Sequence, residues 1–279
     1  MVGVDSIGDA VYDGIRRAAV TLRSDVCEAM GAALARERSE RGRVVLEQLL
    51  ENAEAAARDG VPLCQDTGTV WVWVELGASE CLGSPLQPAV DEAVRRAYAD
   101  GGLRMSVVRD GLLDRTNTGD NTPAFLDVTM REGHGATVHV MLKGGGSDNA
   151  SAVSMLPPSA GADGVREFVV RTVEEKAASA CPPLVLGVGV GGTFDTVAKL
   201  AKKALLRRLD ARPADAGVYA FEQELLAAVN ATGIGPAGLG GDTTALGVSL
   251  MTAPCHIAAL PVAVNLGCSA VRTAVVELV

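Results

Sequence analysis

Aromatic side chains make up only 3% of the 279 residues, so any core must be built from Ala, Val, Leu and Ile within an apolar total of 48%. Surplus positive charge is also missing: 25 Lys and Arg face 34 Asp and Glu, a net charge of −9. That balance argues against nucleic acid as a partner, because binding phosphates needs an excess of cations. No apolar run approaches the roughly 20 residues of a membrane span. The amino terminus, MVGVDSIGDAVYDGIRR, carries acids ahead of any apolar stretch, unlike a signal peptide. The expectation is a cytoplasmic protein with no membrane partner. None of the six cysteines (Cys27, Cys64, Cys81, Cys181, Cys255, Cys268) forms a CxxC pair, so a zinc ribbon or thioredoxin-type site has no support. A disulfide scaffold is not expected of a chain this long in that compartment. A serine hydrolase is disfavoured because no GxSxG elbow exists, and KGGGSDN (143–149) lacks the GK[ST] ending of a phosphate-binding loop.

What is present is an aliphatic composition rich in glycine, 32 residues in all, which fits an α/β protein. Residues 5 to about 58 repeat Ala, Val and Leu at helical spacing among Arg and Glu, predicting two or three helices. TVWVWVEL (69–76) alternates as a strand and QPAVDEAVRRAYADGG returns to helix. The polar stretch 104–123 has no period and reads as a long loop, of the kind that is usually functional or disordered. FLDVTM and TVHVMLK read as strands joined by a hairpin turn, REGHGA, and GGGSDNASAVSMLPPSAG as another polar loop. A helix, a strand–turn–helix (CPPLVLGVGVGGTFDTVAKLAKKALLRRL), a further helix and two strands complete the chain. No repeat, low-complexity linker or clear boundary appears, so residues 1–279 are expected to form one domain. The fold class is α/β: amino-terminal helices, then mixed β-sheets flanked by helices.

Several stretches invite chemistry. Gly187, Gly189 and Gly192 complete a GxGxxG register after a strand. About 20 residues on, where a dinucleotide site wants an acid, stands the basic run KKALLRR. A tight turn for close packing is at least as good a reading. Lys143 and Arg104 are the candidates for holding an anionic ligand, although such residues are mostly solvated. His256 heads an apolar run, whereas His134 and His139 look structural. Cys64 with His256 as a thiol–base pair has no local signature. Cys64 (in PLCQDTGT, 62–69), Cys181 (in CPP) and Cys268 (closing VNLGC) each fall at the edge of a predicted element. Three such thiolates fit an iron–sulfur cluster, normally held by four cysteines, with one iron left open as a Lewis acid. Buried packing thiols are the competing reading.

Seven ordered blocks together resemble the class I, iron–sulfur fumarases and related tartrate dehydratases, specifically their α subunit or amino-terminal half. They are PLCQDTGT, LRMS, RTNTGDNTPA, KGGGSDNASAVSMLPPSAG, CPPLVLGVGVGGTFD with AKKALLR, NATGIGPAGLGGDTTALGV and APCHIAALPVAVNLGC. The resemblance implies a [4Fe-4S] cluster ligated by Cys64, Cys181 and Cys268, with the fourth iron meeting a small dicarboxylate substrate. It implies catalytic roles for Asp66 and His256. Gln65, Arg104 and Gly144, Gly145 and Gly146 are the implied substrate contacts, and Lys143, already a candidate for holding an anionic ligand, joins them. Ser269 and Asp148 depart from residues common in relatives, often His and Glu. Single-chain relatives carry a second domain that completes the site. A separate β subunit is therefore expected, as a dimer of αβ pairs, with little activity from this chain alone. The implied reaction is hydration of fumarate to (S)-malate. The alternatives are the α subunit of an L(+)-tartrate dehydratase and, from another class, a non-enzymatic cluster-binding protein.

Overall fold

The computed structural model describes residues 2–279. Three helices open the chain: α1 (Val4–Val20), α2 (Ser24–Arg36) and α3 (Glu40–Asp59). The later helices are α4 (Leu86–Asp100), α5 (Gly145–Asn149), α6 (Gly161–Lys176), α7 (Thr196–Ala204) and α8 (Ala216–Asn230). The strands are β1 (Thr69–Gly77), β2 (Phe125–Arg131), β3 (Ala136–Lys143), β4 (Ala152–Leu156), β5 (Leu184–Gly192), β6 (Ala245–Cys255), β7 (Leu260–Gly267) and β8 (Arg272–Leu278). The expected mixed α/β class is borne out. The span expected as one domain is organised as two compact units. Unit 1 holds residues up to Leu22, Ala53–Gly145 and Arg272–Val279, and unit 2 holds Arg23–Asn52 and Gly146–Val271. Among the described residues no helix is long and apolar enough to cross a membrane.

Unit 1 is a four-stranded sheet in the order β2-β1-β3-β8. Alternation along β1 and β3 turns Val70, Val72, Val74, Val138 and Val140 to one face. There they meet Ile7, Val11 and Ile15 of α1 and Val90, Val94 and Ala97 of α4. β1 runs parallel to β2 and antiparallel to β3, so β2 and β3 are neighbours in sequence but not in the sheet. The expected hairpin is thus corrected. β1 is buried along almost its whole length, whereas β2 is mostly exposed. A strand buried on both faces belongs in the centre with a partner on each side. The REGHGA segment instead closes over the end of β1, where Gly77 N donates to Gly135 O at 2.8 Å.

Unit 2 has the order β4-β7-β5-β6, with β5 parallel to β6 and antiparallel to β7. Leu184, Leu186 and Val188 of β5 and Val262, Val264 and Leu266 of β7 pack with Phe168, Val169 and Val173 of α6 and Leu225 and Val229 of α8. Two further readings change. The stretch expected as one loop after Lys143 contains α5 and β4, because Ala152–Leu156 pairs with the free edge of β7. β8 was not foreseen; it completes the unit 1 sheet beside β3.

The glycines of the GxGxxG register serve close packing. A Cβ on Gly187 would lie 2.1 Å from Ala201 O and one on Gly189 2.7 Å from Val197 O, so α7 rests directly on the β5 backbone. Because the obstacle is helix backbone, which cannot rotate away, Gly187→Ala is expected to lose at least about 2 kcal/mol of stability by overpacking. Urea unfolding measures it. A variant within about 0.5 kcal/mol of the parent, the range of neutral surface changes, would refute the contact.

Candidate active site

In unit 1 the register of β1 against β3 pairs Thr69 with Lys143, which lays the end of PLCQDTGT beside the start of KGGG. Gly68 has φ +76°, and a Cβ there would sit 2.2 Å from Lys143 O. Only glycine satisfies both the left-handed conformation and that approach. Asp66 is two residues earlier. Its Oδ2 accepts from Gly145 N at 2.9 Å, and a Cβ on Gly144 would come within 3.1 Å of the same oxygen. Three main-chain carbonyls of this loop are taken by side-chain donors from distant elements. Arg272 Nη1 donates to Asp66 O at 2.7 Å. Tyr98 Oη, on α4, donates to Thr67 O at 3.2 Å and Gly68 O at 3.0 Å. Asn121 Nδ2 donates to Gly68 O at 3.1 Å. Thr67 Oγ1 in turn donates to Arg104 O at 2.7 Å, which fastens the 104–123 segment to the loop.

Unit 1 therefore gathers Asp66, Gly144 and Gly145 and the main chains of Arg104 and Lys143. Lys143 is buried at 4% exposure, and Arg104 and Gln65 are exposed. Cys64 is half-buried, its Sγ 4.0 Å from Gln65 Oε1. Arg272, Tyr98 and Asn121 were not foreseen. The available signal for Arg272 was its being the one cation in the apolar-rich run VRTAVVEL. Asn121 carried none beyond its place in a polar loop.

In unit 2, Cys181 just precedes β5 and Cys268 just follows β7. The antiparallel register Val185↔Gly267 puts both at the same end of the sheet. Ser269 N donates to Cys181 O at 3.1 Å, tying the two segments together. Cys181 is exposed with φ +55°, and Cys268 is half-buried. Asp148 of α5 lies 3.3 Å from Lys202 Nζ, and Asn265 Nδ2 of β7 donates to Asp148 Oδ1 at 3.4 Å. Gly146 begins this unit's share of α5 and is exposed. His256 is exposed in the β6–β7 turn, where its Nδ1 accepts from Ala258 N at 3.1 Å. It sits at the opposite end of the sheet from Cys181 and Cys268, roughly 25 Å along β7 at the usual rise of a strand. Unit 2 thus brings the two cysteines together and leaves the histidine apart. Within neither unit do three His, Cys, Asp or Glu side chains of the described residues converge as a metal site.

The profile of the family described as fumarate hydratase (Fumerase) matches residues 8–277. A provisionally named L(+)-tartrate dehydratase subunit alpha of Methanocaldococcus jannaschii is 39% identical over 277 residues, 96% of each chain. The L(+)-tartrate dehydratase subunit alpha of Escherichia coli (strain UTI89 / UPEC) is 34% identical over 240 residues, 85% of this chain and 78% of that protein. This chain belongs to the fumarate hydratase family of hydro-lyases. The resemblance carried by the seven sequence blocks holds along nearly the whole chain.

Burial pushes the Tyr98 hydroxyl up to about 12, whereas the unfolded chain releases that proton near 10, roughly the ordinary tyrosine value. The contribution is therefore present below about pH 10 and lost as the pH rises from there through about 12, an effect of about 2 kcal/mol. Tyr98→Phe should cost about 1 kcal/mol at neutral pH through its lost hydrogen bonds. Its stability should then fall less than that of the parent between about pH 10 and 12. Urea unfolding of both proteins across that window decides it, and a constant gap would contradict the buried neutral phenol.

Proposed function

We propose that the chain is the α subunit of an iron–sulfur hydro-lyase that adds water to, or removes it from, a four-carbon dicarboxylate. The first reading is fumarate to (S)-malate. L(+)-tartrate dehydration is the second, and the names of the relatives favour it. The observation that carries the proposal is Asp66, a carboxylate with one oxygen fixed by Gly145 N, in a loop two residues after Cys64.

The donor set fits a cluster. Cys64, Cys181 and Cys268 would hold it, and the end-of-sheet pairing of Cys181 and Cys268 supports two of these three assignments. When bound, the group supplies an open iron as a Lewis acid toward the substrate hydroxyl. The chain's own residues supply part of the remaining chemistry. Asp66 hands a proton to the departing hydroxyl through Oδ1, since Oδ2 is engaged, and takes one from water in the reverse direction, while the proton lost from or gained by the neighbouring carbon falls to the residues of the β subunit that complete the site. Gln65, Arg104 and Lys143 bind the substrate carboxylates. Gly144, Gly145 and Gly146 give a wall whose main chain comes close to the ligand. Because His256 lies far from Cys181 and Cys268 within unit 2, its step belongs to a second copy, which a dimer of αβ pairs would supply. A separate β subunit is supported by the "subunit alpha" names of the relatives.

Anaerobic co-purification with the β chain should give a brown protein with about four irons per α chain. Cys64→Ser, Cys181→Ser and Cys268→Ser should lose colour and iron while Cys27→Ser keeps both. Equal iron in all four variants would sink the ligand assignment. Asp66→Asn should keep its iron and lose activity by a factor of about a hundred or more. The ratio of kcat/KM for (S)-malate and L(+)-tartrate selects between the two substrates.

A further inference from the structure

We propose that Arg272 is the positioning residue of Asp66: from the first position of β8 its guanidinium fixes the main chain of the Asp66 loop, and so the direction of the carboxylate. The inference rests on the reading of Asp66 as the proton-handling group.

Arg272 is among the largest fully buried side chains of the described residues, 2% exposed. Among the described residues it forms no ion pair, and its buried Nε has no hydrogen-bond partner. A buried cation is costly to desolvate, and an apolar residue of similar volume would do as well if packing were the only need. What the guanidinium does touch is specific. Nη1 donates to Asp66 O at 2.7 Å, a charge-assisted bond to a main-chain acceptor. Nη2 lies 3.5 Å from the point where a Gly144 Cβ would be, and Asp66 Oδ2 lies 3.1 Å from that point. Guanidinium, carboxylate and the glycine wall therefore share one small volume.

The strand register explains how a residue 206 positions away in sequence arrives there. β8 pairs with β3 so that Arg272 stands opposite Leu142, one residue before Lys143 and the glycines. Asp66 is then held twice, by Arg272 at its carbonyl and by Gly145 N at Oδ2. Rotation of the carboxylate away from the substrate would break one of these bonds. Oδ1 is left as the oxygen that makes no hydrogen bond to the described residues.

The test uses the full α chain co-purified with its β chain, as Arg272→Met and Arg272→Lys. Each is assayed for iron content, for steady-state kinetics on (S)-malate and L(+)-tartrate, and for amide hydrogen exchange in the peptides covering 62–69 and 143–149. Arg272→Met should keep its iron, lose kcat by about 30-fold or more with KM within about threefold, and exchange faster in both peptides. Arg272→Lys keeps a cationic donor on a shorter reach and should fall between the two, with slower exchange than the Met variant; it decides the matter if the Met variant does not fold. Parental kcat in either variant, a loss confined to KM, unchanged exchange, or a loss of activity matched by lost iron would each overturn the proposal. If the parental pair turns over neither acid, the reading of Asp66 fails instead. The exchange comparison then still decides whether Arg272 holds the loop.

Discussion

Asp66, Thr67 and Gly68 form neither helix nor strand with one another, yet their three carbonyls all find donors: Arg272 from β8, Tyr98 from α4 and Asn121 from the 104–123 segment. Main-chain acceptors removed from water must be satisfied, and here the partners are side chains that arrive from three separate parts of unit 1. The loop's conformation is consequently fixed by the whole unit rather than by its own residues. That is a route to preorganisation: the catalytic candidate is held in place before any substrate binds, so little ordering remains to be done at the moment of reaction.

The same unit explains why glycine recurs where the motifs meet. Gly68, just ahead of β1, lies against the Lys143 carbonyl at the end of β3 with no room for a side chain, and Gly144 approaches Asp66 closely for the same reason. Unit 2 uses glycine differently, to let α7 lie against β5. A glycine fingerprint read as phosphate binding and a glycine stripe made for packing are alike in sequence. What separates them is whether the empty space is filled by the protein's own helix, as at Gly187 and Gly189.

Much of this was legible in the sequence, because the signals concerned were local. The helices came from period, the strands from alternation, and the loop at 104–123 from the lack of either. Cys64, Asp66 and the glycine block stood out by composition. What escaped was non-local. The insertion of β1 between β2 and β3 depends on which strand is buried on both faces, a property of the sheet rather than of REGHGA. β4 was hidden because its pairing partner, β7, lies more than 100 residues away in the chain. Arg272 and Asn121 matter only through the carbonyls they reach, and nothing in RTAVVEL or DNTP announces those partners.

Strand direction also constrains how the pieces can act. Within unit 2, a residue leaving β7 and a residue entering β5 must emerge at one end of the sheet, because the strands are antiparallel; the β6–β7 turn must emerge at the other. Cys181 and Cys268 are thus brought together by topology, and His256 is kept apart from them by the same topology. No side-chain rotation spans a strand roughly 25 Å long. A role for His256 beside the thiols of its own unit would require a different sheet, whereas a role in a second copy requires only that the exposed turn meet one.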